Sequence, residues 1–347
     1  MMCMGSRRRG HTAFITLHVK GMDAMKREHG YYCLYGLILL VCLMMAVLSA
    51  LPAAALADSV QALSVLPQSP VEPLPEGFAP GLEGLITDPC VYPEARLWAG
   101  KLLLIDVDHP LPAQAPAPNT LSVAGGGAAA RSPQTVAGEE TIAALKAWFA
   151  AARQKGYGSP VVWAGTRSPA EQLQWQLDQL ALYARQTDLV TAAQKTAAQR
   201  EAPGCSEHQT GYAVDIRLCE GYNLPPDNRP LSQSPAGRFL LESCWQYGFI
   251  HRYNEKDPPL CEEESYHFRY VGRGHAELMH ALDLDFAAYL AFLRRQGALR
   301  YYEGDQLKYV VLCQPVSGDW ALLKPRGAKA IELSMDNTGW AVALFSF

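Results

Sequence analysis

The chain has 347 residues, 49% of them hydrophobic and 18% charged, with a formal net charge of −4. That length can bury a sizeable core, and the acidic balance argues against a nucleic-acid partner. Without residues 1–57, which hold six Lys/Arg and two Asp/Glu, the balance is 24 basic against 32 acidic residues, or −8.

Lys26 and Arg27 precede an almost wholly apolar stretch, residues 31–51. As a helix it is about 30 Å long, enough to span a bilayer. Ala55-Leu56-Ala57 follows as an A-x-A cleavage site. The order basic, apolar, small is that of a secretory signal, and the run is long enough to stay instead as a membrane anchor. The residues before Met25 make a long preface, so translation could start at Met22 or Met25. Either way the rest of the chain is expected outside the cytoplasm, secreted or anchored to the cell membrane.

Residues 58–87 carry Pro67, Pro70, Pro73, Pro75 and Pro80 and read as an extended linker. Six of the nine cysteines lie beyond residue 57, which in an oxidising compartment permits up to three disulfides among fifteen pairings.

Residues 101–107 read as a short apolar strand, and 111–134, rich in Pro, Gly and Ala, as loop. Apolar residues at helical spacing (Ile142, Leu145, Trp148, Phe149, Ala152) predict a helix over 139–155. A strand at 161–164 leads to Arg167, after which Ser168-Pro169-Ala170-Glu171 forms a capping box with proline at the first helical position. That helix carries Leu173, Leu177 and Leu180 and extends, with a break, toward Arg200. Its free N-terminal N–H groups lie beside Arg167 and suit an anion. Ser234-Pro235 opens another helix ending before Gly248, strands follow at 249–253 and 267–271, and a helix pair at 275–295 closes a domain spanning 88–297. Strands at 309–312, 329–333 and 340–345, with a turn at 336–339, make residues 298–347 a small β-rich extension. About fifty residues is marginal for an independent core, so the extension is expected to pack on the domain before it.

The chemistry concentrates in Ser206-Glu207-His208-Gln209-Thr210-Gly211-Tyr212-Ala213-Val214-Asp215 and, about fifty residues later, Glu264-Ser265-Tyr266-His267. Two imidazoles, a ligating carboxylate and a spare carboxylate are the inventory of a catalytic zinc site with three protein ligands and a base. His208 and Asp215 are seven apart, so on an unbroken strand they would face opposite ways. They can share a metal only if the chain turns between them, and Gly211 tolerates that turn. Val214 and Ile216 predict that Asp215 emerges near the start of a buried strand. The competing roles for Asp215 are ion pairs with Arg217 or Arg269. His251, His275 and His280 stand alone and are read as structural.

Other chemistries lack their residues. No Ser-x-x-Lys with a later Lys-Thr-Gly, no His-Glu-x-x-His, no Gly-x-Ser-x-Gly and no Gly-x-x-x-x-Gly-Lys is present. Cys205 beside the motif is better suited to a structural role than to nucleophilic attack. Pairs Cys205–Cys219 or Cys244–Cys261 would bracket the two halves of the site. Cysteine ligation is the weaker reading, since two histidines and an aspartate already fill a catalytic site.

Ser206, His208, Gly211, Ala213 and Asp215 fit the SxHxxGxAxD pattern, and the chain resembles the VanY-type zinc D-alanyl-D-alanine carboxypeptidase family. Glu264 to His267 with Phe268-Arg269-Tyr270-Val271-Gly272 is similar to that family's Glu-Pro-Trp-His-(Phe/Tyr)-Arg-Tyr-Val-Gly block. Gly165-Thr166-Arg167-Ser168 with Gln172 is similar to its Gly-Tyr-Arg-Ser…Gln segment. All three blocks stand in the family's order between about residues 102 and 293. Ser265-Tyr266 in place of Pro-Trp, and Thr166 in place of Tyr, put the wall on the substrate side in doubt.

The resemblance implies an α+β fold: a small antiparallel sheet carrying the zinc site, with helices mainly on one face. It implies Zn2+ bound by His208, Asp215 and His267, and Glu264 as general base and later proton donor to the leaving amine. Arg167 would steady the scissile carbonyl or hold a substrate carboxylate, since its planar fork suits either. Ser206 and Gln172 would hydrogen-bond the substrate's C-terminal end. The implied activity, in a protein expected to be monomeric, is removal of the terminal D-alanine from peptidoglycan stem peptides or their precursors. L,D-carboxypeptidase, endopeptidase and non-catalytic wall-binding readings stay open, because the same metal and base residues serve all the enzymes.

Overall fold

The computed structural model of the chain describes residues 73–92, 99–112, 115–219, 230–253, 266–316 and 320–347. The segment read as signal or anchor, residues 58–72 of the proline-rich stretch, Cys261 and Glu264 lie outside the described residues. Among the described residues no helix is long and apolar enough to cross a membrane.

In chain order, β1 (Phe78–Pro80), β2 (Thr87–Tyr92), β3 (Thr120–Ser122) and β4 (Val136–Gly138) precede α1 (Glu139–Gln154). Then come β5 (Ser159–Ala164), α2 (Pro169–Ala184), α3 (Leu189–Ala197), β6 (Ala213–Cys219) and α4 (Pro235–Ser243). β7 (Phe249–His251), β8 (His267–Tyr270), α5 (Arg273–Leu282) and α6 (Phe286–Gln296) follow. The chain closes with β9 (Ala298–Glu303), β10 (Gln306–Pro315), β11 (Trp320–Pro325), β12 (Ala330–Met335) and β13 (Trp340–Ser346).

The local signals act as their chemistry requires. The Ser168 hydroxyl accepts from the Glu171 N–H while the Glu171 carboxylate accepts from the Ser168 N–H, so α2 begins in a complete capping box with Pro169 at its first position. The apolar spacing of α1 buries Ile142, Leu145, Trp148, Phe149 and Ala152. Ser234 caps α4 by accepting from the Gly237 N–H.

A four-stranded antiparallel sheet, in the order β5-β6-β8-β7, receives that face of α1. Val214 and Ile216 of β6 and Phe268 and Tyr270 of β8 pack with Trp148, Phe149 and Phe249. Fully burying a large apolar side chain contributes about 1.5–3 kcal/mol, so this layer fixes the sheet. Because side chains alternate along a strand, Asp215, His267 and Arg269 emerge on the opposite face. The register sets Asp215 directly across from His267.

A second antiparallel sheet has the order β1-β9-β10-β13-β12. Val311, Cys313, Val342 and Leu344 on one face pack with α5 and α6. Val310, Leu312, Ala341, Ala343 and Phe345 on the other pack with Leu103, Ile105 and Leu322. The fold is therefore α+β with small antiparallel sheets.

Three sequence expectations change. Residues 101–107 form no strand, although 102–105 are buried: Leu102 N–H donates to Ser334 Oγ and Leu104 N–H to the Asp336 carbonyl, while the Lys101 and Leu103 carbonyls accept from Arg269. Tertiary partners satisfy this backbone where a ladder was expected. Residues 78–80, inside the stretch read as linker, pair with β9. Cys205 and Cys219 are both free. Cys219 ends β6 opposite Ser159, at the far end of the strand from the turn that leads into it. Cys244 is also free and buried.

Candidate metal centre

The path from His208 to Asp215 turns between them. Glu207–Thr210 form one 3₁₀ turn, and Gly211 follows in the left-handed region at φ 82°, which disfavours any residue with a Cβ. The Gly211 carbonyl accepts from the Gly138 N–H at 2.8 Å and from the Thr141 hydroxyl at 3.1 Å. β6 then starts, and Asp215 is its third residue. The odd spacing is absorbed by the turn, and both side chains reach one point.

His208, Asp215 and His267 each present one donor atom, all within 4.8 Å of one another. His208 Nε2 lies 3.4 Å and His267 Nδ1 3.1 Å from Asp215 Oδ1. The remaining nitrogens are held by the protein. His208 Nδ1–H donates to the Gly165 carbonyl at 2.6 Å, and His267 Nε2 meets Glu207 Oε2 at 3.0 Å. Each imidazole is thus oriented from behind, with its free nitrogen turned to the cluster, as metal-ligating histidines are. The two histidines are buried and Asp215 is partly open. Two imidazoles and one carboxylate match the ligand set of a catalytic site with room for a further ligand.

Electrostatics separate the two rings. Burial and the nearby Arg167 guanidinium push His208 down to about 4. Burial also acts to lower His267, but hydrogen bonds to Asp215 and Glu207 override it and hold the imidazole up at about 9. Burial opposes the Asp215 charge, yet the two histidines keep its carboxyl well below the usual range. A cation arriving here displaces a proton from His267, so its binding strengthens as pH rises.

A polar cluster adjoins the His208 side. Arg167 N–H donates to the His208 carbonyl at 3.0 Å. Its Nε donates to Gln172 Oε1 at 2.8 Å and its Nη2 lies 3.4 Å from Ser206 Oγ. Gln172 in turn donates to the Glu201 carbonyl. Ser206 and Gln172 are fully buried, and the Arg167 guanidinium stacks 4.3 Å from the Trp175 ring centre. The three residues read from sequence as substrate-binding are therefore brought together. Glu264 lies outside the described residues.

Sequence reasoning missed Glu207, Arg252 and Arg269. Glu207 is 1% exposed, pairs with Arg252 Nε at 2.9 Å and has Arg269 Nη1 at 3.8 Å. Its place inside the motif was visible, but its partners lie 45 to 62 positions away and no local pattern links them. The ion pairs weighed for Asp215 are not formed: Arg269 turns to Glu207, and the Arg217 guanidinium lies over the Tyr266 ring. The lone histidines are packed, His275 against the Tyr289 hydroxyl, His280 stacked on Trp245 and His251 against Phe268.

Residues 135–273 match the family model described as VanY, D-alanyl-D-alanine carboxypeptidase. The chain is 31% identical over 166 residues to the protein YodJ of Bacillus subtilis (strain 168), covering 45% of this chain and 54% of that one. To a D-alanyl-D-alanine carboxypeptidase of Enterococcus faecium it is 28% identical over 136 residues, covering 39% of this chain and 42% of that one. The chain thus spans about half the length of the curated relatives it matches. A solved structure of the vancomycin-resistance D,D-dipeptidase VanXYg, with a D-Ala-D-Ala phosphinate analogue, superposes with a TM-score of 0.62 at 20% identity. It covers 76% of this chain and all of that one, a likeness of fold. The matched segment contains the His208–Asp215–His267 cluster and Arg167. Residues 135–273 are accordingly similar to the VanY family of D-alanyl-D-alanine carboxypeptidases.

Proposed function

We propose that this protein is a zinc-dependent D,D-carboxypeptidase that removes the terminal D-alanine from peptidoglycan stem peptides or their precursors. The observation that carries the reading is the convergence of His208, Asp215 and His267 inside the VanY-type segment, each histidine anchored through its other nitrogen. Bound zinc at such a site brings the pKa of water to about 7, making hydroxide available near neutral pH. Glu264 takes the proton from the attacking water and returns it to the leaving amine. Arg167, steadied by Gln172 and Ser206, faces the anionic end of the substrate or the charge that grows on the scissile carbonyl. Ser206 and Gln172 then select for a terminus that completes their hydrogen bonds.

The likeness to VanY-type relatives and the basic, apolar, small order of residues 26–57 support action outside the cytoplasm, with residues 1–57 as signal or anchor. Residues 88–297 carry the chemistry and 298–347 support them. The assignment of roles is tested by two substitutions. Glu264→Gln is expected to keep stoichiometric zinc and lose nearly all release of D-alanine from a D-Ala-D-Ala-ended peptide. His267→Ala is expected to lose both. Equal metal loss in the two variants would contradict the base assignment.

A further inference from the structure

Glu207 stands immediately before a proposed metal ligand, yet its carboxylate turns toward the other histidine. Oε2 lies 3.0 Å from His267 Nε2, the nitrogen opposite the one that faces Asp215. Oε1 accepts from Arg252 Nε at 2.9 Å, and Arg269 Nη1 lies 3.8 Å from Oε2. Three further contacts hold these arginines. Arg252 N–H donates to the His267 carbonyl, and Arg269 Nη2 donates to the Lys101 and Leu103 carbonyls. All three charged groups are buried. Such groups are costly to bury unless paired, and removing one partner leaves the others uncompensated. The arrangement is therefore demanding to maintain, and it closes on the His267 ring.

We infer that Glu207 is a positioning residue for the metal centre: it fixes His267 with its proton on Nε2 and its lone pair on Nδ1, directed at the ion. The inference rests on the metal-site reading above and goes beyond it in assigning a residue to the back of the site. A carboxylate flanked by two guanidiniums only accepts, so His267 must donate to it, and the ring's other nitrogen is left as the ligand. The two histidines then differ in kind. His208 leans on a neutral carbonyl, whereas His267 leans on a charge, which makes it the more basic donor. Glu207 is not a second base, because it sits behind the ring, 1% exposed, away from the open side of the cluster. The competing role is a plain ion pair tying β7 and β8 to the turn, with no bearing on the metal.

The test compares zinc affinity of the full chain and its Glu207→Ala and Glu207→Gln variants by competition with a chromogenic chelator, with circular dichroism as the check on folding. Loss of a partner behind a ligating histidine typically weakens binding about 10–100-fold. That range is expected for Glu207→Ala, and a smaller loss for Glu207→Gln, which keeps an acceptor oxygen. A folded Glu207→Ala variant that binds zinc within twofold of the parent would overturn the inference and leave the plain ion pair. A parent chain that binds no zinc would instead bring down the metal-site reading itself, a distinguishable result. Should both variants fail to fold, the zinc-loaded parent decides by nitrogen-15 NMR of its imidazoles. A slowly exchanging proton on His267 Nε2 is expected, and an unprotonated Nε2 would overturn the assignment.

Discussion

Each site histidine commits one nitrogen to a partner behind it and turns the other toward the His208–Asp215–His267 cluster, and small neighbours decide which. For His208 the decision rests on the Gly165 carbonyl. A Cβ added at Gly165 would meet the Val136 carbonyl oxygen at 2.2 Å, so the 165 backbone would have to move and take its carbonyl with it. Gly165→Ala is expected to weaken zinc binding roughly tenfold or more, measured by equilibrium dialysis, and an unchanged affinity would show that the carbonyl does not orient the ring. The residue types of this centre were legible in sequence because histidine, aspartate and glycine have few substitutes for these jobs. Glu207 was not legible, since a carboxylate beside a histidine becomes informative only when His267, Arg252 and Arg269 are folded around it.

At the scale of elements, strand alternation does most of the positioning. Val214 and Ile216 bind β6 to the core, so Asp215 has only the other face available. The capping box of α2 and the apolar stripe of α1 were readable because their signals are local. Residues 101–105 were misread because apolar runs in a strand and in a buried loop look alike, and only the distant Ser334 and Asp336 tell them apart. The helix pair α5–α6 holds a buried group of its own. Burial, and then the charge of Lys101, push His275 down to about 3, while its Nδ1 lies 2.9 Å from the Tyr289 hydroxyl. Below about pH 6.5 an unfolded histidine takes up a proton that folded His275 refuses. Its contribution to stability is therefore intact above that pH and falls away as pH drops toward 3, by at most about 1.4 kcal/mol per pH unit. Thermal melts of a folded His275→Gln variant are expected to show a shallower acid slope than the parent, and an identical slope would exclude this histidine.

Across the whole molecule, residues 74–347 form one compact unit. The β-rich tail shares a core with α5 and α6 and takes β1 as an edge strand. Pairing of Phe78–Pro80 with Tyr301–Leu299 joins positions more than two hundred residues apart, which no local pattern announces. Arg269 makes a related connection, reaching from the site sheet to the backbone of Lys101 and Leu103. The loop it holds also bonds to Ser334 and Asp336 of the tail. The tail thereby supports the side of the sheet that carries His267.

The central claim is metal-dependent removal of one D-alanine, and mass spectrometry of synthetic stems tests it most directly. Purified residues 58–347 would be incubated separately with a pentapeptide ending in D-Ala-D-Ala and with the matching tetrapeptide, each with and without a chelator. The expected result is loss of one alanine from the pentapeptide alone, abolished by the chelator and restored by zinc. Loss from the tetrapeptide alone, or intact stems beside a protein that holds stoichiometric zinc, would contradict the account.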